Sequence, residues 1–244
     1  MEKQGLSLWR QVSEAIIGEI RNGRYSPGDR LPASNKLAKQ FNVHQHTALK
    51  AISHLQSKGL LRIEQGRGTY VSEHPVDFRI GARDWFEQNL LENKAIGIRR
   101  VLSANVVAAE KKVAEALEVA TNDLVAQIVL VGEADGIPIY IGKHFFSTER
   151  FPGIDEAFNA FGDNPSSKIV FRDILKCYGV EDFKRRNIRI RARTPEQKEA
   201  HLLRMPVNTP ILETVITVVD ADNIPVFFGF AGYCSDRVDL VIDV

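Results

Sequence analysis

The sequence predicts an α+β protein in two units. The first is a small N-terminal helix-turn-helix with a wing, and the second a larger antiparallel sheet with interspersed helices. Three observations carry this. Before residue 60, apolar residues recur three times at helical spacing, and a short alternating hairpin follows. From Arg99 onward, strand-like runs alternate with helical ones, and Asp135-Gly136 marks a hairpin turn, a pattern of α+β rather than of a parallel sheet. Charge divides the same way. Residues 1–74 hold 11 Lys+Arg against 6 Asp+Glu, and residues 75–244 hold 21 against 25. A basic head on a mildly acidic body points to a nucleic-acid partner for the head.

Leu8 to Ile20 reads as the first helix, with Leu8, Val12, Ile16 and Ile20 at helical spacing and Asn22-Gly23 ending it. Tyr25-Ser26-Pro27-Gly28-Asp29 is turn chemistry. A short helix, Ser34 to Phe41, turns Leu37, Ala38 and Phe41 inward. After the tight turn at Asn42-Val43 a third helix runs to Lys58-Gly59, burying Ala48, Ala51, Ile52 and Leu55. Its other side carries His46, Lys50 and Ser53, with Gln45 in the first turn, and has no acid. Such a surface suits phosphates and base edges. Leu60 to Glu64 and Thr69 to Val71 form a hairpin around Gly66-Arg67-Gly68. In this geometry the third helix enters the major groove, the second braces it, and the hairpin reaches a minor groove or phosphates. His44, His46 and His54 suggest no metal site. His44 and His46 are two residues apart and point in different directions on a helix.

Leu8-Trp9-Arg10-Gln11-Val12, Pro27-Gly28-Asp29-Arg30-Leu31-Pro32, Lys58-Gly59-Leu60-Leu61 and Gln65-Gly66-Arg67-Gly68-Thr69-Tyr70-Val71 stand in the order seen in the GntR family of bacterial transcription regulators. The head resembles that family's DNA-binding domain throughout. The resemblance implies a DNA-facing set of Arg30, Asn35, His44, Gln45, His46, Thr47 and Lys50, with Gln65, Gly66 and Arg67 on the wing. There are departures. Where the family opens its second helix with Ser-Glu-Arg-Glu, this chain reads Ala33-Ser34-Asn35-Lys36. The capping box is gone, at a cost of roughly 1 kcal/mol unless Ser34 caps one residue later. His44 and Gln45 replace a small polar residue and an arginine, and Leu49 replaces another arginine. Gln pairs best with adenine and Arg with guanine, so the operator should differ at the Gln45 contact.

Ser72 to Ile80, with His74-Pro75, reads as a boundary. Residues 78–91 read as a short helix with Trp85, Leu90 and Leu91 available for packing. The expected domains are a winged helix-turn-helix over 5–73, a linker over 74–96 and an effector domain over 97–244. In the last, strands are expected over 101–107, 124–131, 138–146, 187–192, 211–219, 224–232 and 237–241. Helices are expected over 109–117 and 154–161, from Ser166-Ser167 to Tyr178, and from Thr194-Pro195-Glu196 to Met205. Gly132-Glu133-Ala134-Asp135-Gly136, His144-Phe145-Phe146, Arg150-Phe151-Pro152-Gly153 and Asp236-Arg237 are similar to the UTRA effector-sensing domain. That likeness implies a chorismate-lyase-like fold. Arg79-Ile80-Gly81-Ala82-Arg83-Asp84-Trp85-Phe86-Glu87-Gln88-Asn89-Leu90 resembles the phosphonate-utilisation type within the HutC-like branch.

Candidate effector residues follow. Arg189, Arg191 and Arg193 share one face of a strand, either solvated or gathered around an anion such as phosphate or phosphonate. Ser166 and Ser167 open a helix, either as caps or as an anion site. His144, beside aromatics, is a core, hinge or ligand residue, and Tyr233 is of the same kind. Other departures lie here. Phe227 and Gly232 stand where relatives often carry Glu and Arg, and Gln127 and Val129 where they often carry Arg and Glu. The phosphonate reading weakens accordingly.

Neither a nucleophile–base pair, nor clustered carboxylates with a base, nor a P-loop is legible, so neither an enzyme nor a cofactor is expected. Cys177 and Cys234 are too few and too distant for a disulfide framework and fit a reducing cytoplasm. Trp9 and charges occupy the place where a signal peptide needs an apolar run. The expected protein is a cytoplasmic, homodimeric repressor that binds double-stranded operator DNA and is released by a small, anionic effector. The rivals are a constitutive DNA binder with a degenerate pocket and a lyase-like enzyme with a DNA-binding appendage.

Overall fold

In the computed structural model the first helical run is α1 (Leu8–Arg21), the second α2 (Ser34–Gln40) and the third α3 (Gln45–Ser57). The structure describes residues 7–72, 76–81, 83, 85–93, 95–162 and 169–242. Val12, Ile16, Leu37, Ala48, Ala51, Ile52 and Leu55 form one buried cluster, as the spacing requires. Leu8 remains exposed at the start of α1. Asn42 takes the left-handed conformation (φ 52°) that turns the chain between α2 and α3. The wing is β1 (Leu61–Glu64) antiparallel to β2 (Gly68–Val71). Residues 28–31 lie along β2, through Leu31 N to Thr69 O and Gly28 N to Val71 O.

One helix start differs from expectation. The N-cap of α2 is Ala33, with no side-chain cap, so Ser34 does not replace the lost capping box. Its hydroxyl instead accepts a hydrogen bond from Gln45.

The second compact unit opens at Val76. Residues 76–79, expected within a linker, form β3 (Val76–Arg79), and the helix expected over 78–91 is the shorter α4 (Phe86–Glu92). Asn89 explains why the two stay together. Its amide oxygen accepts from Arg79 N, and its amide nitrogen donates to Arg79 O. Phe86 and Leu90 are buried, whereas Leu91, expected to pack, is 77% exposed.

The strand β4 (Gly97–Ala108) precedes α5 (Lys111–Leu117), β5 (Leu124–Ala134), β6 (Ile137–Ser147), α6 (Ile154–Gly162), α7 (Phe171–Lys176) and β7 (Phe183–Arg193). Then come α8 (Gln197–Leu202), β8 (Ile211–Asp220), β9 (Pro225–Cys234) and β10 (Val238–Val241). Six strands make one antiparallel sheet in the order β4-β5-β6-β9-β8-β7. The hairpin β5–β6 turns at Asp135-Gly136, both with positive φ, as a tight two-residue connection needs. The last strand, β10, pairs in parallel with β3 outside the main sheet. α8 begins later than expected. Glu196, not Thr194, is its N-cap, in a capping box with Glu199.

The sheet's two faces bury different clusters. Ala126, Ile128, Leu130, Tyr140, Phe146 and Phe227 join α4, α6 and α7 in the larger core. Val125, Phe145 and Phe228, one residue along, pack on α5. The period of two thus assigns Tyr140, Gly142, His144 and Phe146 to one face of β6.

Candidate DNA-reading surface and effector cavity

His44 is the N-cap of α3. Its backbone is extended, and its carbonyl accepts from Thr47 N and Ala48 N. His44, Gln45, His46 and Lys50 are exposed and Thr47 is half-buried, on the side of α3 away from Ala48, Ala51 and Leu55. Gln45 Nε2 donates to Ser34 Oγ at 3.1 Å, tying the reading helix to the brace. The Lys50 ammonium stands 5.2 Å from the Trp9 ring centroid. Arg10 lies at the same distance from that ring, and His54 meets it edge-on at 4.9 Å. Trp9 thereby fixes two flexible cations beside one another on the surface.

On the wing Gln65, Gly66 and Arg67 are exposed. Buried Glu64 lies 3.9 Å from Arg67 and 3.4 Å from buried Arg62. Arg30 and Asn35 are also exposed. Arg30 forms a bridge with Tyr70 at the base of the wing.

The effector residues scatter. Ser166 and Ser167 lie outside the described residues. Arg189, Arg191 and Arg193 do share a face, but the wrong one for a pocket. They pair with Val215, Glu213 and Ile211 on β8, whereas Thr214 and Ile216, on the opposite face, line the unit's cavity. Two of the three are paired within the unit. Arg191 is bonded to Glu213. Arg193 reaches Glu213 at 2.7 Å and both oxygens of Glu199 at 2.6 Å. The Glu199 hydrogen bonds outweigh partial burial and, with Glu213, hold the Arg193 guanidinium well above its ordinary pKa. Glu213 and Glu199 thus occupy Arg191 and Arg193.

His144 and Tyr233 line the cavity, which has a volume of about 300 Å³. Its walls include Trp85, Phe86, Tyr140, Phe171 and Phe227. His144 is 8% exposed, and neither ring nitrogen has a hydrogen-bond partner among the described residues. Phe171 and Phe227 meet its ring edge-on at 5.0 and 5.4 Å. Burial, aided by the Arg99 charge, pushes its pKa down to about 3, so the imidazole is neutral. Two glycines make room for it. A Cβ on Gly142 would stand 2.7 Å from His144 Nε2, and one on Gly229 would stand 2.9 Å from Nδ1.

Arg99 crosses the cavity floor. Its Nε donates to Tyr140 Oη at 2.9 Å, and its Nη1 donates to Glu87 and to the Ile169 carbonyl. Burial opposes its charge, yet Tyr140 and Glu87 prevail and raise its pKa. Tyr233 stacks on Tyr140 at 5.3 Å, and burial pushes its phenol up.

Sequence reasoning named two of these residues and missed Arg99, Glu87, Tyr140 and Thr214. The signal was present in Gly142 and Gly229. Glycine inside a strand marks a close approach, and both flank His144 on one face.

Residues 8–71 match the family of bacterial regulatory proteins named gntR, and residues 98–239 match the UTRA domain. An uncharacterised HTH-type transcriptional regulator of Rhizobium meliloti (strain 1021) is 30% identical over 246 residues, covering 100% of this chain and 98% of that protein. The probable transcriptional regulator PhnF of Escherichia coli (strain K12) is 27% identical, covering 96% and 94%. The crystal structure of PhnF from Mycobacterium smegmatis shares the fold with a TM-score of 0.64 at 21% identity, covering 98% and 99%. The basic head, the reading helix and the aromatic cavity therefore have one context: this chain belongs to the GntR family of bacterial regulatory proteins, carries a UTRA domain behind its helix-turn-helix, and is a DNA-binding transcription regulator.

Proposed function

We propose that this regulator is a homodimeric repressor whose hold on its operator is released by a small molecule in the UTRA cavity. The observation that carries the reading is buried His144, in an aromatic cavity, with neither ring nitrogen partnered among the described residues. A core histidine with no ligand to meet would leave that polarity uncompensated. Repression finds support in the probable fructoselysine utilization operon transcriptional repressor of Escherichia coli (strain K12), 27% identical over 97% of this chain. One helix-turn-helix reads too few bases for useful specificity, which favours two heads on a pseudo-palindromic site. A DNA operator as partner supports a cytoplasmic location.

The ligand acts only through different affinities for the DNA-competent and incompetent arrangements. A well-formed cavity speaks against a constitutive binder. The anionic effector expected on β7 has no support there, because Arg191 and Arg193 are occupied. The test is selection of operators from random DNA, followed by sedimentation of the protein–operator complex. Two protomers on two half-sites are expected. A single protomer bound with full affinity to one half-site would refute the dimer.

A further inference from the structure

Taking the cavity as the effector site, we infer that its ligand is a flat heteroaromatic compound of one or two rings, carrying at most one charge, that exchanges hydrogen bonds with His144 and the Trp85 indole.

The polar groups set the chemistry. The buried Trp85 Nε1 and both His144 nitrogens lack partners among the described residues, and both side chains line the cavity. The neutral imidazole offers one donor and one acceptor, and the indole offers one donor. A ring nitrogen, amide or hydroxyl edge answers that small set. A sugar, with a hydroxyl on nearly every carbon, would bury more polar groups than these walls can satisfy.

The charges exclude a phosphate or phosphonate dianion. Arg99 is already held by Glu87, Tyr140 and the Ile169 carbonyl. Arg185 donates to the Gly81 carbonyl at 2.6 Å and stacks 4.5 Å from the Trp85 centroid. A dianion would also meet the Glu87 carboxylate, which lines the same cavity. Arg172, exposed at the lining, leaves room to match a single carboxylate.

The shape sets the size. Nine of the lining residues are Phe, Tyr or Trp, and bare glycines flank His144 where side chains would otherwise fill the face. An apolar cavity of about 150 Å³ holds benzene, so about 300 Å³ accommodates one or two rings. Aromatic walls select flat faces by stacking and edge contacts.

The experiment is calorimetric titration of the full-length protein with benzimidazole, nicotinamide and indole-3-carboxylate, and with 2-aminoethylphosphonate and glucose 6-phosphate. At least one heteroaromatic should bind tenfold or more tighter than both phosphorus compounds. His144→Phe and Trp85→Phe keep a ring in place but remove the nitrogens, and each should weaken that binding at least tenfold. Retention of operator binding by either variant shows that it folds, and either one alone suffices. Tighter binding of a phosphorus compound, lost in the same variants, would overturn the ligand class and leave the cavity as effector site. Binding indifferent to both substitutions would overturn the cavity reading itself. Silence from all three heteroaromatics would overturn the inference.

Discussion

Gln45 Nε2 and Ser34 Oγ, 3.1 Å apart, join the first turn of the reading helix to the first turn of its brace. The serine that could have capped α2 holds the Gln45 side chain, the proposed base contact, instead. Gln45 is therefore presented in a fixed attitude. Its carboxamide matches the acceptor–donor edge of adenine, whereas an arginine there matches guanine. Gln45→Arg should switch the preferred base at one position in each half-site, with discrimination of about 1–3 kcal/mol. Selection from random DNA with both proteins checks this. An unchanged consensus would remove Gln45 from the base contacts.

Lys50, steadied over Trp9, is proposed to meet a phosphate rather than a base. Lys50→Ala should weaken operator and unrelated DNA alike and lower the slope of log affinity against log salt by about 1. A loss confined to the operator would make Lys50 a base reader.

The arginines of β7 carry a different expectation from the one their sequence suggests. Arg193→Ala strips one partner from Glu213, whose side chain is 7% exposed, and an ion-pair partner from Glu199. The unit should lose about 2 kcal/mol, below the cost of a fully buried pair because Arg193 is partly exposed. The effector response should persist. Urea unfolding reads the first, and operator release reads the second. Lost release in a variant of unchanged stability would restore the anion site.

His144 ties stability to pH, with a definite sign. Its folded pKa of about 3 lies below the ordinary 6.5 because burial disfavours the cation. Above pH 6.5 neither state is protonated and nothing is lost. As pH falls from 6.5 toward 3, only the unfolded chain takes up the proton, and the folded state loses ground. Between pH 7.5 and pH 5 this one group should cost about 2 kcal/mol. His144→Phe should remove that increment from the pH dependence measured by urea unfolding. Equal pH dependence in both proteins would mean that His144 titrates alike in the folded and unfolded states.

The head was legible because its signals are local. Helical spacing, the turn at Asn42, and the wing glycines are written within a few residues of what they determine. The long strands were legible for the same reason, since alternation and Asp135-Gly136 need no distant partner. The cavity was not. It is assembled from β3, α4, β4, β6, α7, β7, β8 and β9, and Arg99 meets Tyr140 forty-one residues away. The pairing of Arg193 with Glu213 is equally remote. A row of arginines on an edge strand reads as an anion site until the carboxylates across the ladder are known. β3 escaped notice because its partner, β10, is the last strand of the chain.

A ligand in the cavity is proposed to govern the DNA-reading head. The most direct measurement is fluorescence anisotropy of a selected operator, with the wild type and His144→Phe, in the absence and presence of the tightest-binding heteroaromatic. The ligand should raise the operator Kd of the wild type at least tenfold and leave that of His144→Phe unchanged. A ligand that saturates the wild-type cavity yet leaves operator affinity untouched would contradict the proposal.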